Sequence, residues 1–150
     1  MRFILFFLFP LHLMAQANAP RVSLTFDFST LPKAALNSAF VVNTQKLLVE
    51  ETADGIVRIF PLIPRDWSDV SFQHLVTKQG IEIAAHKENG TPIDLTLHFR
   101  KAGIFLIQMP FHTYVPRTLD KAEILESDER FMLKIKAKKG AVVVVENGYE

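Results

Sequence analysis

From Arg21 to Ser29 the chain alternates, with Val22, Leu24, Phe26 and Phe28 on one face and Ser23, Thr25, Asp27 and Ser29 on the other. A period of two with one apolar face predicts a half-buried strand. Ser29-Thr30-Leu31-Pro32 then has the character of a helix start, a hydroxyl cap followed by a proline that suits the first turn. Between Ala34 and Glu50 the period lengthens. Ala35, Ala39, Val42, Lys46 and Val49 fall near helical spacing, and Leu36, Phe40, Leu47 and Leu48 widen the stripe. Asp54-Gly55 closes this helix as a turn.

Beyond it the pattern is that of short strands: 56–60, 71–77, 80–86, 92–100, 104–109, 122–126, 131–137 and 141–146. The density predicts an all-β fold, an antiparallel β-sandwich of about eight strands preceded by one packed α-helix. One hairpin can be registered by matching apolar faces. Ile81, Ile83 and Ala85 share a face, as do Ile93, Leu95, Leu97 and Phe99. A two-residue Asn89-Gly90 turn mismatches the faces by placing Ile83 opposite Thr96. A three-residue Glu88-Asn89-Gly90 loop, with Gly90 left-handed, pairs Ile83 with Leu95 and Ile81 with Leu97, and this is the expected register. Val142 to Val145 reads as a strand buried on both faces or an exposed aggregation hazard. Lys134, Lys136 and Lys138 alternate with Leu133, Ile135 and Ala137, as expected of a solvated strand face with edge protection rather than a ligand patch.

Residues 55–75 link the helical and β portions. Ile56 to Phe60 is apolar except for Arg58, Pro61 and Pro64 end the run, and Trp67 stands three residues after Pro64. Neither proline can donate to a ladder, and each biases the preceding residue toward extended geometry. Strand, stiff crossover, aromatic plug and second strand suit one end of a sandwich.

This stretch resembles the C-terminal domain of family 95 of the glycoside hydrolases, the alpha-L-fucosidase-like enzymes. Their junction has an aliphatic helix end, a turn, and an I-R-hydrophobic-F/L-P-A-x-P-x-x-W run, then a strand, a Leu and a Gly. Here Leu47-Leu48, Asp54-Gly55, Val57-Arg58-Ile59-Phe60-Pro61, Pro64, Trp67, Val70-Ser71-Phe72, Leu75 and Gly80 stand in those places. Leu62 replaces the usual Ala, and Val76 an Arg often found. The resemblance covers roughly residues 36–108. It implies that residues 36–50 correspond to the last helix of the catalytic toroid and the rest of the chain to the accessory sandwich. The family's catalytic acid and base sit in the toroid, so no catalytic residue carries over. The structural junction is expected at Arg58, Phe60, Pro61, Pro64, Trp67 and Gly80. The expected organisation is a signal peptide at 1–19, an extended segment and helix at 20–54, and a β-sandwich accessory domain at 55–150.

Composition places the chain. Arg2, the apolar run Phe3 to Leu13 and the small-residue sites Ala15-Gln16-Ala17 and Ala17-Asn18-Ala19 have the form of an export signal. The expected address is therefore periplasmic or extracellular, with no membrane span after cleavage. Removing Arg2 takes Lys+Arg from 17 to 16 against Asp+Glu 16, a net charge of zero. Nucleic acid and anionic membranes both call for a basic excess, so neither is expected as a partner. With Cys 0 there is no disulfide framework and no thiolate metal site.

Glycoside hydrolysis needs two carboxylates about 5–10 Å apart across a cleft. Glu50-Glu51, Asp66 with Asp69, and Glu126 with Asp128 are candidates, but each sits at a turn or element end, where acids ordinarily cap or are solvated. His86 and His98 fall at opposite ends of the expected hairpin, and His74 and His112 stand alone, so no metal or cofactor is expected. Trp67 is a candidate sugar-stacking platform, though a core plug is the expected role. Phe105, Phe111 and Tyr114 are candidates for an aromatic patch. The expected function is a non-catalytic accessory module of a carbohydrate-active enzyme, with a glycosidase toroid or carbohydrate as partner. The alternatives are a stand-alone carbohydrate- or protein-binding module and, least expected, an active hydrolase. A broad apolar patch beside the helix favours the first; an exposed Trp67 or Phe105 platform in a groove favours the second.

Overall fold

The computed structural model describes residues 22–148; the expected signal peptide at 1–19 lies outside the described residues. The elements, in order, are β1 (Ser23–Asp27), α1 (Lys33–Leu36), α2 (Ala39–Leu48), β2 (Val49–Glu51), β3 (Ile56–Ile59), β4 (Asp69–Val76), β5 (Ile81–Glu88), β6 (Thr91–Phe99), β7 (Gly103–Gln108), β8 (Tyr114–Leu125) and β9 (Met132–Asn147). Among the described residues the chain is all-β, with two short helices.

The single expected helix is two segments. Asp27 Oδ1 accepts from Ser29 N at 2.9 Å and from Ser29 Oγ at 2.7 Å, so Ser29 serves a turn and not a cap. The longer helix starts at Ser38 instead, whose Oγ accepts from Val41 N at 3.3 Å. It stops at Leu48 because Val49 is extended, with φ −143° and ψ 129°. Val49 then enters β2, a strand the sequence pattern assigns to helix.

All the described strands join one mixed sheet in the order β1-β4-β5-β6-β9-β7-β3-β2, with β8 beside β9. Two pairings are parallel, β1 with β4 and β3 with β7, so the sheet departs from the wholly antiparallel arrangement expected. β9 explains the curl. One of its edges carries β8 along most of its length. Its other edge carries β7 along Met132–Ala137 and β6 along Val142–Glu146. β9 therefore passes from one half of the sheet to the other through a corner at Lys138–Gly140, where Gly140 has φ +83°. β8 breaks register at the same level, between Thr118 and Asp120 and again between Asp120 and Ala122. The result is a curled half-barrel whose hollow is the core.

The two runs 131–137 and 141–146 are thus one strand. Within it Val143 and Val145 are fully buried while Val142 and Val144 are half-buried on the other face, with β6 and β8 on the two edges. The alternation of Leu133, Ile135 and Ala137 with Lys134, Lys136 and Lys138 is present, the aliphatics buried and the lysines outward.

The β5–β6 hairpin corrects the expected loop. Glu88 pairs with Thr91, so the turn is the two-residue Asn89-Gly90, with φ of +49° and +80°. A bulge then repairs the faces: Lys87 faces Pro92 but His86 faces Asp94, leaving Ile93 as the extra residue. Ile83 consequently pairs with Leu97 and Ile81 with Phe99. Pro92 is tolerated because bulges spare the ladder a donor.

The core gathers Ile81, Ile83, Leu95, Leu97, Phe99, Val143 and Val145 from one half of the sheet and Val57, Ile107 and Ile135 from the other, all fully buried. Phe99 and Phe105 meet across the β6–β7 connection, ring centroids 4.8 Å apart. Val41, Thr44 and Leu48 are the buried face of α2.

Candidate binding groove

An open groove of about 800 Å³ lies where the end of β3, the proline crossover, the β5–β6 turn and the segment after β7 come together. Its floor is set by register. Glu50 on β2 faces Arg58 on β3, which faces Gln108 on β7. Arg58 Nε donates to Gln108 Oε1 at 3.0 Å and Arg58 Nη1 donates to Glu50 Oε2 at 3.3 Å. These two bonds hold the guanidinium in one plane. The pair is about half-exposed, so its worth lies in orientation more than stability.

Above the floor, Phe60, Pro61 and Leu62 form one wall, with Pro92, Met109 and Pro110 among the others. Phe60 holds φ +54°, a conformation costly for a bulky side chain. It is kept there by its N–H donating to Leu48 O at 2.7 Å and by an edge-on contact with Phe72 at 5.5 Å. Lys87 and His112 complete the groove. Burial pushes the Lys87 ammonium below the ordinary lysine range.

Arg58, Phe60 and Pro61 of the expected junction thus share this groove, while Trp67 and Gly80 lie elsewhere. Trp67 is half-buried against Phe26, ring centroids 6.1 Å apart, at the edge of the core. Its backbone N–H donates to Pro64 O at 3.1 Å, closing the crossover as a turn. Gly80, at φ +86°, makes the β4–β5 turn, and its carbonyl accepts from Arg100 N at 2.8 Å. Phe105 and Phe111 are buried, at 5% and 3% exposure, and so offer no stacking platform; Tyr114 is half-buried, its hydroxyl pushed up in pKa by burial.

The acid pairs have separate duties. Glu50 holds Arg58, whereas its neighbour Glu51 accepts from Lys78 N at 2.7 Å and Gln79 N at 3.1 Å, capping the β4–β5 turn. Asp69 Oδ1 accepts from Asn89 N at 2.7 Å and ties down the hairpin tip. Glu126 and Asp128 line a pocket of about 240 Å³ together with Lys134.

The histidines are less isolated than the sequence implies. The bulge in β4 at His74, which has φ +59°, and the true β5–β6 register bring His74 and His98 to one carboxylate. Glu82 Oε1 lies 2.7 Å from His74 Nδ1, and Glu82 Oε2 lies 3.8 Å from His98 Nδ1. Arg100 also donates to Oε2, from Nε at 3.0 Å and Nη2 at 2.6 Å. Hydrogen bonding from His74, then from Arg100, holds the Glu82 carboxyl below the usual glutamate range. Among the described residues no group of three or more His, Asp or Glu side chains is arranged to hold a metal ion.

A second, apolar groove of about 230 Å³ lies between β1 and α2, walled chiefly by Phe26, Phe28, Leu31, Phe40 and Val41. Phe40, on its rim, is 76% exposed. No family model matches the chain, and no curated protein matches it.

Proposed function

We propose that the chain is an exported, non-catalytic accessory module of carbohydrate-active-enzyme type, its curled sheet the counterpart of the β-sandwich in the glycosidases it resembles. The observation that carries this reading is the exposed Phe40 beside the apolar groove between β1 and α2. In the resemblance, α2 stands for the last helix of the toroid, so the side of it that carries the exposed Phe40 is where the rest of the toroid would pack. Together the exposed Phe40 ring and the apolar groove beside it offer another chain apolar surface to bury. Trp67, packed on Phe26, supports a structural plug better than a sugar platform.

The test is sedimentation velocity of the purified chain with a family 95 catalytic toroid lacking its own sandwich. The reading expects a one-to-one complex, lost in Phe40→Ser. It fails if the wild-type chain stays monomeric beside the toroid, or if Phe40→Ser binds as well. It fails equally if the chain alone hydrolyses aryl α-L-fucosides and Asp66→Asn or Asp69→Asn abolishes the turnover.

A further inference from the structure

The groove floored by Arg58 goes beyond docking. Three basic side chains, Arg58, Lys87 and His112, line it against one carboxylate, Glu50, already engaged by Arg58. Among the described residues Lys87 makes no ion pair, although it is half-buried. A partly desolvated ammonium is stabilised most by an anion brought alongside it. Arg58 has its Nε and Nη1 committed to Gln108 and Glu50. The guanidinium is therefore fixed in orientation, with Nη2 left to donate to a carboxylate brought into the groove.

The remaining walls restrict the ligand further. Phe60, Pro61 and Pro92 offer stiff apolar surfaces, while Thr91, Gln108 and Glu50 offer hydrogen-bonding groups suited to hydroxyls. The volume falls within the about 300–1,000 Å³ of small-molecule sites. A ring with C–H faces, several hydroxyls and one carboxylate satisfies every wall. The strain at Phe60 lies in the same wall, where such outliers tend to mark ligand clamps. We propose that this groove binds uronic-acid saccharides, the carboxylate received by Arg58 and Lys87 and the sugar face resting on Phe60 and Pro61. The site is independent of the α2 surface and stands or falls apart from toroid docking.

Isothermal titration with trigalacturonate and with trimannuronate tests it, maltotriose and the fully methyl-esterified trigalacturonate serving as uncharged counterparts. Saturable binding of at least one uronide is expected, with affinity falling tenfold or more on esterification, in Arg58→Gln and in Lys87→Gln. Should Arg58→Gln lose its fold by circular dichroism, Lys87→Gln carries the comparison. Phe40→Ser should bind the uronide as wild type does, and Lys87→Gln should still sediment with the toroid, so the two proposals fail separately. No binding of either uronide, equal binding of the ester or of maltotriose, or undiminished binding by Lys87→Gln would overturn the assignment.

Discussion

Glu82→Gln tests whether the outer face of the sheet is tied together by charge. Glu82 sits on β5, paired with Val76 of β4 and His98 of β6, and its carboxylate joins side chains from β4 with Arg100 just beyond β6. The Glu82 side chain is only 17% exposed, but His74 and Arg100 are 46% and 52% exposed, so solvent screens both partners. Half-exposed pairs contribute about 0.2–1 kcal/mol each. Glutamine keeps one acceptor but turns an amide toward a cation, so a loss of about 1.5 kcal/mol at pH 7 is expected. At roughly 3–5 °C per kcal/mol for a domain of this size, Tm should fall by about 5–7 °C. The pH dependence has a definite sign. The folded carboxyl titrates below its ordinary value, so its contribution is complete above the unfolded glutamate pKa, about 4.3, and disappears as pH drops through the folded value. Urea denaturation at pH 7 and at pH 3 reads both effects. A loss under about 0.3 kcal/mol at pH 7, or a gap between wild type and variant that persists undiminished at pH 3, would show that the Glu82 carboxylate does not tie these strands.

Two further variants probe the fold. Gly90→Ala should cost about 1 kcal/mol in urea denaturation, purely from the left-handed φ of +80°, because a Cβ there meets nothing within 4 Å; a loss several times larger would mean the tip is packed. Phe26→Ala should red-shift the emission of Trp67, the sole tryptophan, since Phe26 covers its ring; an unchanged spectrum would place the indole elsewhere.

Most strands are legible in the sequence because period two is a local property, and residues 81–88 and 91–99 display it plainly. What escapes is decided at a distance. β2 reads as helix because Val49 continues the apolar stripe, and only pairing with Ile59, Arg58 and Val57 makes Val49-Glu50-Glu51 a strand. The first part of β8, Tyr114 to Lys121, carries no alternation, being largely exposed and recruited through β9. The expected hairpin register differs from the true one for an instructive reason. Matching faces is the right criterion, but a bulge at Ile93 satisfies it as well as a longer loop does, and no local signal beyond Pro92 separates them. The parallel pairings of β1 and β3 are likewise invisible without the tertiary fold. Of the groove, Arg58, Phe60 and Pro61 stand out by spacing, whereas Lys87, Gln108 and His112 join them only because β9 turns its corner and brings both halves of the sheet to one mouth. The Glu82 cluster depends in the same way on the bulges in β4 and β6.

The surface formed by β1 and α2 is where an accessory module would meet its enzyme, and amide hydrogen exchange addresses it directly. Exchange by residues 24–31 and 39–48 should slow when a family 95 toroid lacking its sandwich is added, while the β8–β9 hairpin exchanges as before. Unaltered exchange at 24–31 and 39–48 in the presence of saturating toroid would mean that this surface docks no toroid and that the chain is not such a module.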